Sequence, residues 1–245
     1  MDVRRALEEV MFRAAWREPG CVVVDTPSLA QVITPAIPFA HANAVYRFVD
    51  ADLERALAAF EDRPFRFLVT PSARPTDLAQ RLVARGLELT SELAAMWAPT
   101  ATPIAVPTDV VVEPLRAETL EEYCATSIAG WSMSEAQGAN LRRSVEVYSR
   151  LDAYQGFLAR VGGVSVGAGL VRIYADGVGY LQGSAVHPAW RGRGVYRALV
   201  AHRMQVIREA GAAVALIHAR TTSSAPICAR LGFRTEFRSA SYDRT

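Results

Sequence analysis

The sixteen residues AVHPAWRGRGVYRALV, 185–200, constrain the fold more than any other stretch of the chain. An apolar run reaches Val186 and stops at a His-Pro turn. Arg191, Gly192, Arg193 and Gly194 follow, and an apolar helical stripe begins at once. A strand that turns through glycines into a helix aims the helix's first N–H groups, with their partial positive charge, beyond the strand's end. Glycine at 192 and 194 removes the Cβ atoms that would hold an anion away from those groups. Arg191 and Arg193 add cationic side chains for phosphate oxygens. The junction therefore reads as a phosphate or pyrophosphate loop. It is neither of two common nucleotide loops. G-x-x-x-x-G-K-[ST] is absent, and G-x-G-x-x-G fails because Arg197 follows where a third glycine would stand.

The flanking patterns predict a mixed α/β (α+β) architecture, with a mostly antiparallel sheet covered by helices. DVVVEPL reads as a strand, AETLEEYCATSIAGW as a helix, and a further helix is expected near 134–150. YQGFLARV and VSVGAGLVRIY read as strands joined through Gly162 and Gly163, with DGVGYLQGSAV as the next strand. A helix over 194–210, the strand AAVALIHA, the helix SSAPICARLG and a last strand or pair in FRTEFRSASYD complete this half. In the first half, residues 3–17, DADLERALAAFED and PTDLAQRLVARG carry helical stripes. The proline-rich APTATPIAVPTD, 98–109, reads as a linker and places a domain boundary near residue 107.

The first half also echoes the second. VTPSARPTDLAQRLV at 69–83 lines up with VHPAWRGRGVYRALV at 186–200, an offset of 117 residues. The stretch after it, RGLELTSELAAMW, also resembles LGFRTEFRSASYD, at a longer offset. In this register Pro75 stands where Gly192 stands and Asp77 where Gly194 stands. Proline lacks an N–H, and aspartate brings negative charge to a phosphate position, so the first loop is not expected to bind phosphate.

Bulk properties exclude several classes. The chain has 245 residues, 51% of them apolar, with 27 basic residues against 25 acidic. A net charge of +2 gives no reason to expect a nucleic-acid partner. Cys21, Cys124 and Cys228 are far apart and form no metal-ligand spacing, so no metal site is expected. Sparse cysteines, no signal-peptide pattern and no long apolar run predict a cytoplasmic protein without a membrane span. A homodimer is allowed.

The segment Arg191, Gly192, Arg193, Gly194, Val195 resembles the acyl-CoA-binding signature [QR]-x-x-G-x-[GA] of the GNAT acetyltransferase superfamily. Tyr196 replaces the final small residue. ARLGF at 229–233 resembles the family's late helix-to-strand corner. The resemblance covers roughly residues 110–245 and, with the echo, implies a tandem chain. Residues 1–107 would be a degenerate GNAT-like domain, and 108–245 the catalytic domain that binds acetyl-CoA. It further implies that the backbone of Ser184, Ala185 and Val186 pairs with the pantetheine arm as an added strand. Amides from Gly192 to Tyr196 would hold the pyrophosphate, and an amine of a small molecule or peptide would attack the thioester directly.

The family's usual base positions, six and four residues before the strand-end valine, are Tyr180 and Gln182, neither a good base near neutral pH. His218 on the next strand is the nearest conventional base, and His187 sits in the turn. Glu121 and Glu122 lie on a helix that often borders the acceptor site. The family's acid, usually a tyrosine, falls on Cys228. Trp131 and Met133 in GWSMSEAQG are candidates for lining an acceptor pocket. Two other readings stay open: a CoA-binding sensor without turnover, and an aminoacyl-tRNA-dependent transferase.

Overall fold

The structure, a computed structural model, describes residues 2–15, 17–149 and 154–244. The first half runs α1 (Val3–Arg13), β1 (Val22–Asp25), β2 (Leu29–Ile33), β3 (Ala44–Phe48), α2 (Leu53–Ala58), β4 (Phe65–Val69), α3 (Leu78–Val83) and β5 (Glu88–Pro99). The second runs β6 (Val110–Pro114), α4 (Leu120–Trp131), α5 (Glu135–Tyr148), β7 (Tyr154–Val161), β8 (Val164–Tyr174), β9 (Val178–Val186), α6 (Val195–Glu209), β10 (Val214–Arg220), α7 (Ser224–Arg230) and β11 (Arg234–Arg244). The helix expected near 134–150 ends at Tyr148, and Arg150 lies outside the described residues, as does Trp16 of the first expected helix.

Two compact units result. Unit 1 comprises Met1–Met96 and His218–Thr245, and unit 2 comprises Trp97–Ile217. The sequence-read boundary near 107 thus falls inside unit 2, and the last strand of the expected second half belongs to unit 1. The cause is pairing. β11 joins β4 in antiparallel register, from Ala240 opposite Val69 to Arg244 opposite Phe65. Arg66 and Asp243 fasten the pair with two parallel hydrogen bonds of 2.8 and 2.7 Å.

Unit 1 orders its strands β1-β2-β3-β4-β11-β5, mostly antiparallel, with β3 and β4 parallel. Strand alternation splits its core between two faces. Ala30, Val32, Ala44, Tyr46 and Leu68 pack with Phe12 and Ala15 from the α1 region. Their neighbours Ile33, Val45 and Phe67 pack with Ala56, Leu57, Leu78 and Leu82 of α2 and α3. Asp2 and Asp52 cap α1 and α2 by accepting from Arg5 N and Arg55 N.

Unit 2 orders its strands β10-β9-β8-β7-β6, with only the β10–β9 pair parallel among these pairings. Helices α4 and α6 cover opposite faces of β8. Ala168 packs with Tyr123 and Cys124 of α4. Gly167, beside it, faces α6 so closely that a Cβ would lie 2.7 Å from Val195 Cγ1. The 117-residue echo is structural. Val69 and Val186 end β4 and β9, and Leu78 and Val195 begin α3 and α6. The first half then goes directly from α3 to β5, whereas the second inserts β10 and α7 before β11.

The contact of α6 with β9 makes a sharp prediction. A Cβ at Gly179 would lie 2.3 Å from Ile207 Cγ2, with two further Ile207 atoms within 2.6 Å. Gly179→Ala should lower stability by about 1–3 kcal/mol through overpacking, read as a lower urea midpoint with little change in slope.

Candidate functional site

The site begins where β9 outlasts one of its neighbours. The parallel ladder with β10 runs from Val178 opposite Val214 to Tyr180 opposite Leu216. β9 continues to Val186, paired with β8 along its length. On the way it bulges. Ala185 faces Ala168 and Gln182 faces Leu170, so Gly183 and Ser184 together oppose the single residue Gly169. Gly183 has φ +60°, which the bulge requires and an L side chain rarely adopts. Ser184, Ala185 and Val186, assigned from the sequence to a pantetheine arm, therefore occupy the segment beyond the β10 ladder.

After Val186 the chain makes a short 3-10 turn, Pro188–Trp190. His187 caps this turn, its Nδ1 accepting from Ala189 N at 3.3 Å. Gly192 and Gly194 both take left-handed conformations, φ +77° and +82°. A Cβ on Gly192 would meet nothing within 4 Å, so this loop surface is open to a ligand. A Cβ on Gly194 would lie 2.5 Å from Pro107 Cγ, because the proline-rich linker packs against the loop here. The first helical bond of α6 runs from Ala198 N to Gly194 O at 2.9 Å. The amides of Val195, Tyr196 and Arg197 precede that ladder, as the anion-site reading requires.

The arginines do something the sequence did not disclose. Arg191 donates from Nη2 to Gly130 O at 2.8 Å and from Nε to Val186 O at 3.3 Å, fastening the loop to the end of α4. Arg193 lies over the Trp190 ring, 4.8 Å from its centroid. Arg197, which entered the sequence reading only to reject a dinucleotide loop, places Nη2 3.1 Å from the position of a Gly194 Cβ. Its buried Nε has no hydrogen-bond partner among the described residues. Its spacing, three residues after Gly194 on the first turn of α6, is the signal that could have found it.

The end of α4 closes over the same segment. A Cβ at Gly130 would lie 2.7 Å from Ala185 Cβ and 3.0 Å from Val186 N, so only glycine permits this approach. Trp131 Nε1 donates to Ser184 O at 3.0 Å, and its ring edge stands over Gly183. Met133 is half-buried beyond the helix end.

The proposed proton carriers are dispersed. Tyr180 is buried, and Gln182 Oε1 accepts from Arg172 Nε at 3.2 Å. Glu121 pairs with Arg142, and Glu122 with Arg160, which also holds Glu113. These partners hold both glutamates below the usual carboxylate range, as surface ion pairs do. Cys228 on α7 and His218 on β10 belong to unit 1, whereas the loop belongs to unit 2. Cys228 is fully buried. His218 packs edge-on to Phe237, and burial lowers its pKa to about 4. Among the described residues no cluster of His, Cys, Asp or Glu could hold a metal ion, and no helix is long and apolar enough to cross a membrane.

Residues 122–233, just under half of the chain, match the acetyltransferase (GNAT) family, whose general chemistry is acyl transfer. The matched span contains the bulge, the loop and the LGF corner. No curated protein matches the chain. Among solved structures, a functionally unknown conserved protein from Staphylococcus epidermidis superposes with a TM-score of 0.74 at 13% identity, covering 98% of this chain and 99% of its own. A GCN5-related N-acetyltransferase from Kribbella flavida gives 0.68 at 18% identity, covering 99% and 95%. A tandem GNAT protein from the clavulanic acid biosynthesis pathway gives 0.59 at 16% identity, covering 97% and 87%. These likenesses show a shared fold, with tandem GNAT proteins among the relatives.

The depressed His218 sets a pH dependence of stability. The folded state disfavours the imidazolium, so the unfolded state binds more protons between about 4 and the ordinary 6.5. Stability should therefore fall as pH is lowered through that window. His218→Gln should remove this contribution, so that the stability difference between parent and variant, measured by urea unfolding, changes between pH 7 and pH 4 and is flat above pH 7.

Proposed function

We propose that the chain transfers an acetyl group from acetyl-CoA to a primary amine of a small molecule or peptide by direct attack. The observation that carries this reading is the run of β9 past the β10 ladder, directly before an open, left-handed Gly192–Gly194 loop. Residues of the site fit the cosubstrate: a Cβ-free loop surface at Gly192, first-turn amides on α6 that precede its helical ladder, and a strand segment that runs past the β10 ladder. Backbone groups of Ser184 to Val186 would bind the pantetheine arm, and the amides from Gly192 to Tyr196 the pyrophosphate, with Arg197 as the nearby cation. Acetyl-CoA, when bound, supplies an activated thioester.

The chain's own residues would orient the reactants rather than act as strong bases. No carboxylate lies on β9, and Gln182 is held by Arg172. Attack then draws on the fraction of amine already neutral, with its proton passing to water near Gln182. Cys228 and His218 take no assigned step in this reading. A CoA-binding sensor without turnover is the second reading, favoured by the burial of Tyr180 and the engagement of Gln182.

Free-thiol release from acetyl-CoA, with and without a panel of primary amines, separates the two. Release that depends on one amine class is expected; tight CoA binding without amine-dependent release would leave the sensor. Gly194→Asp should abolish CoA binding by calorimetry. It forces a side chain into Pro107 at a left-handed φ and adds a negative charge beside the pyrophosphate amides. Unchanged affinity in a folded variant would remove the loop from the site.

A further inference from the structure

Among the described residues Arg203 is the largest fully buried side chain, with no exposed surface. A cation in that position is costly unless every donor is used and its place is specific. It stands on α6 between Leu199 and Ile207 at four-residue spacing, in the apolar stripe that faces the sheet. Its guanidinium enters the bulge of β9. Nη1 donates to Leu170 O at 3.0 Å and to Gln182 O at 3.2 Å, the two residues that face each other where the register shifts. Nη2 donates to Ser184 Oγ at 2.7 Å, and Nε returns to Leu199 O at 2.9 Å. At least four of the five guanidinium N–H groups are thus engaged. Room for the group exists because Gly169, the residue opposite the bulge, has no Cβ. One built there would lie 3.1 Å from Arg203 Cζ and Nη1.

This arrangement has a directional consequence. A trans peptide points its C=O and its N–H to opposite sides. By holding Gln182 O inward, Arg203 turns the Gly183 N–H away from α6. By holding Ser184 Oγ, it fixes the next residue as well. A bulge with a glycine at its centre is otherwise free to rotate that peptide. We propose that Arg203 is a positioning residue for acyl transfer, clamping the β9 bulge from inside the sheet so that its outward amides keep one direction toward the thioester carbonyl. The inference rests on the acyl-transfer reading and adds to it a residue that touches neither substrate.

The test uses acetyl-CoA labelled with ¹³C at the acetyl carbonyl, bound to the full chain and to three variants: Arg203→Met, Arg203→Lys and Gly169→Ala. The last keeps the arginine and makes it give by a few tenths of an ångström, so the test survives if Arg203→Met does not fold. Affinity is read by calorimetry, carbonyl polarisation by the ¹³C shift of the bound label, and turnover by amine-dependent thiol release. In the parent protein the carbonyl resonance should move on binding. In Arg203→Met it should return toward the free value, with affinity within about threefold of the parent. Turnover should fall by roughly 10–100-fold in kcat with KM for acetyl-CoA unchanged. Arg203→Lys and Gly169→Ala should fall between. An unmoved carbonyl in the parent, a parent-like shift in the folded variants, or a loss of affinity in place of the shift would each overturn the positioning role. Failure of the parent protein to bind acetyl-CoA would instead overturn the acyl-transfer reading on which it depends.

Discussion

The close approach of helices to β8 and β9 is the constraint from which the rest of unit 2 follows. Gly167, Gly169 and Gly179 let α6 lie on one side of these strands, and Gly130 lets the end of α4 meet β9. Interiors pack at crystal-like density, so a strand pair gripped in this way has little freedom to drift. The loop after β9 inherits its position from that grip. Arg191 ties it to Gly130 O and Val186 O, and Pro107 fills the space beside Gly194. An open surface at Gly192 is therefore presented by a rigid frame, which suits recognition by backbone amides.

All 27 basic residues of the chain are arginines, with no lysine. Several act as multi-donor ties for carbonyls and carboxylates. Arg203 gathers the bulge carbonyls, Arg191 joins a helix end to a strand end, and Arg160 holds Glu113 and Glu122 together. The planar five-donor fork does this better than an ammonium. Around the glycine loop, Arg191 and Arg203 thus fix backbone carbonyls.

Local signals carried most of the second half. The turn glycines 162 and 163 bracketed β7 and β8, and the RGRG loop fell between β9 and α6 as its pattern requires. The first half was less legible. CVVVD and AVYRF are short strand runs, and the helical stripes beside them drew attention away from β1 and β3, although Pro19-Gly20 and Pro27-Ser28 punctuate the first run. The site divided along the same line. The places of Ser184 to Val186 at a strand end and of Gly192 to Gly194 in the loop were readable because they depend on the backbone pattern and on glycine. Arg203 was hidden inside a helical stripe, where a charge at an apolar position was the one available clue. The placement of β11 beside β4 had no local signal, because strand partners 177 residues apart are chosen by the folded whole.

That pairing gives the two units different histories. Unit 2 is one continuous segment, while unit 1 closes only when β11 arrives to lie between β4 and β5. During synthesis from the N-terminus, β4 is made well before its partner, and all of unit 2 emerges between them. Until then β4 presents an unpaired edge of the kind that recruits other strands. Unit 2 can form its own contacts in that interval. Its folding draws the two ends of the long intervening segment into a compact body, which lessens the entropy lost when β4 and β11 finally meet. The order of strands along the chain thus makes early folding of unit 2 a kinetic aid to unit 1.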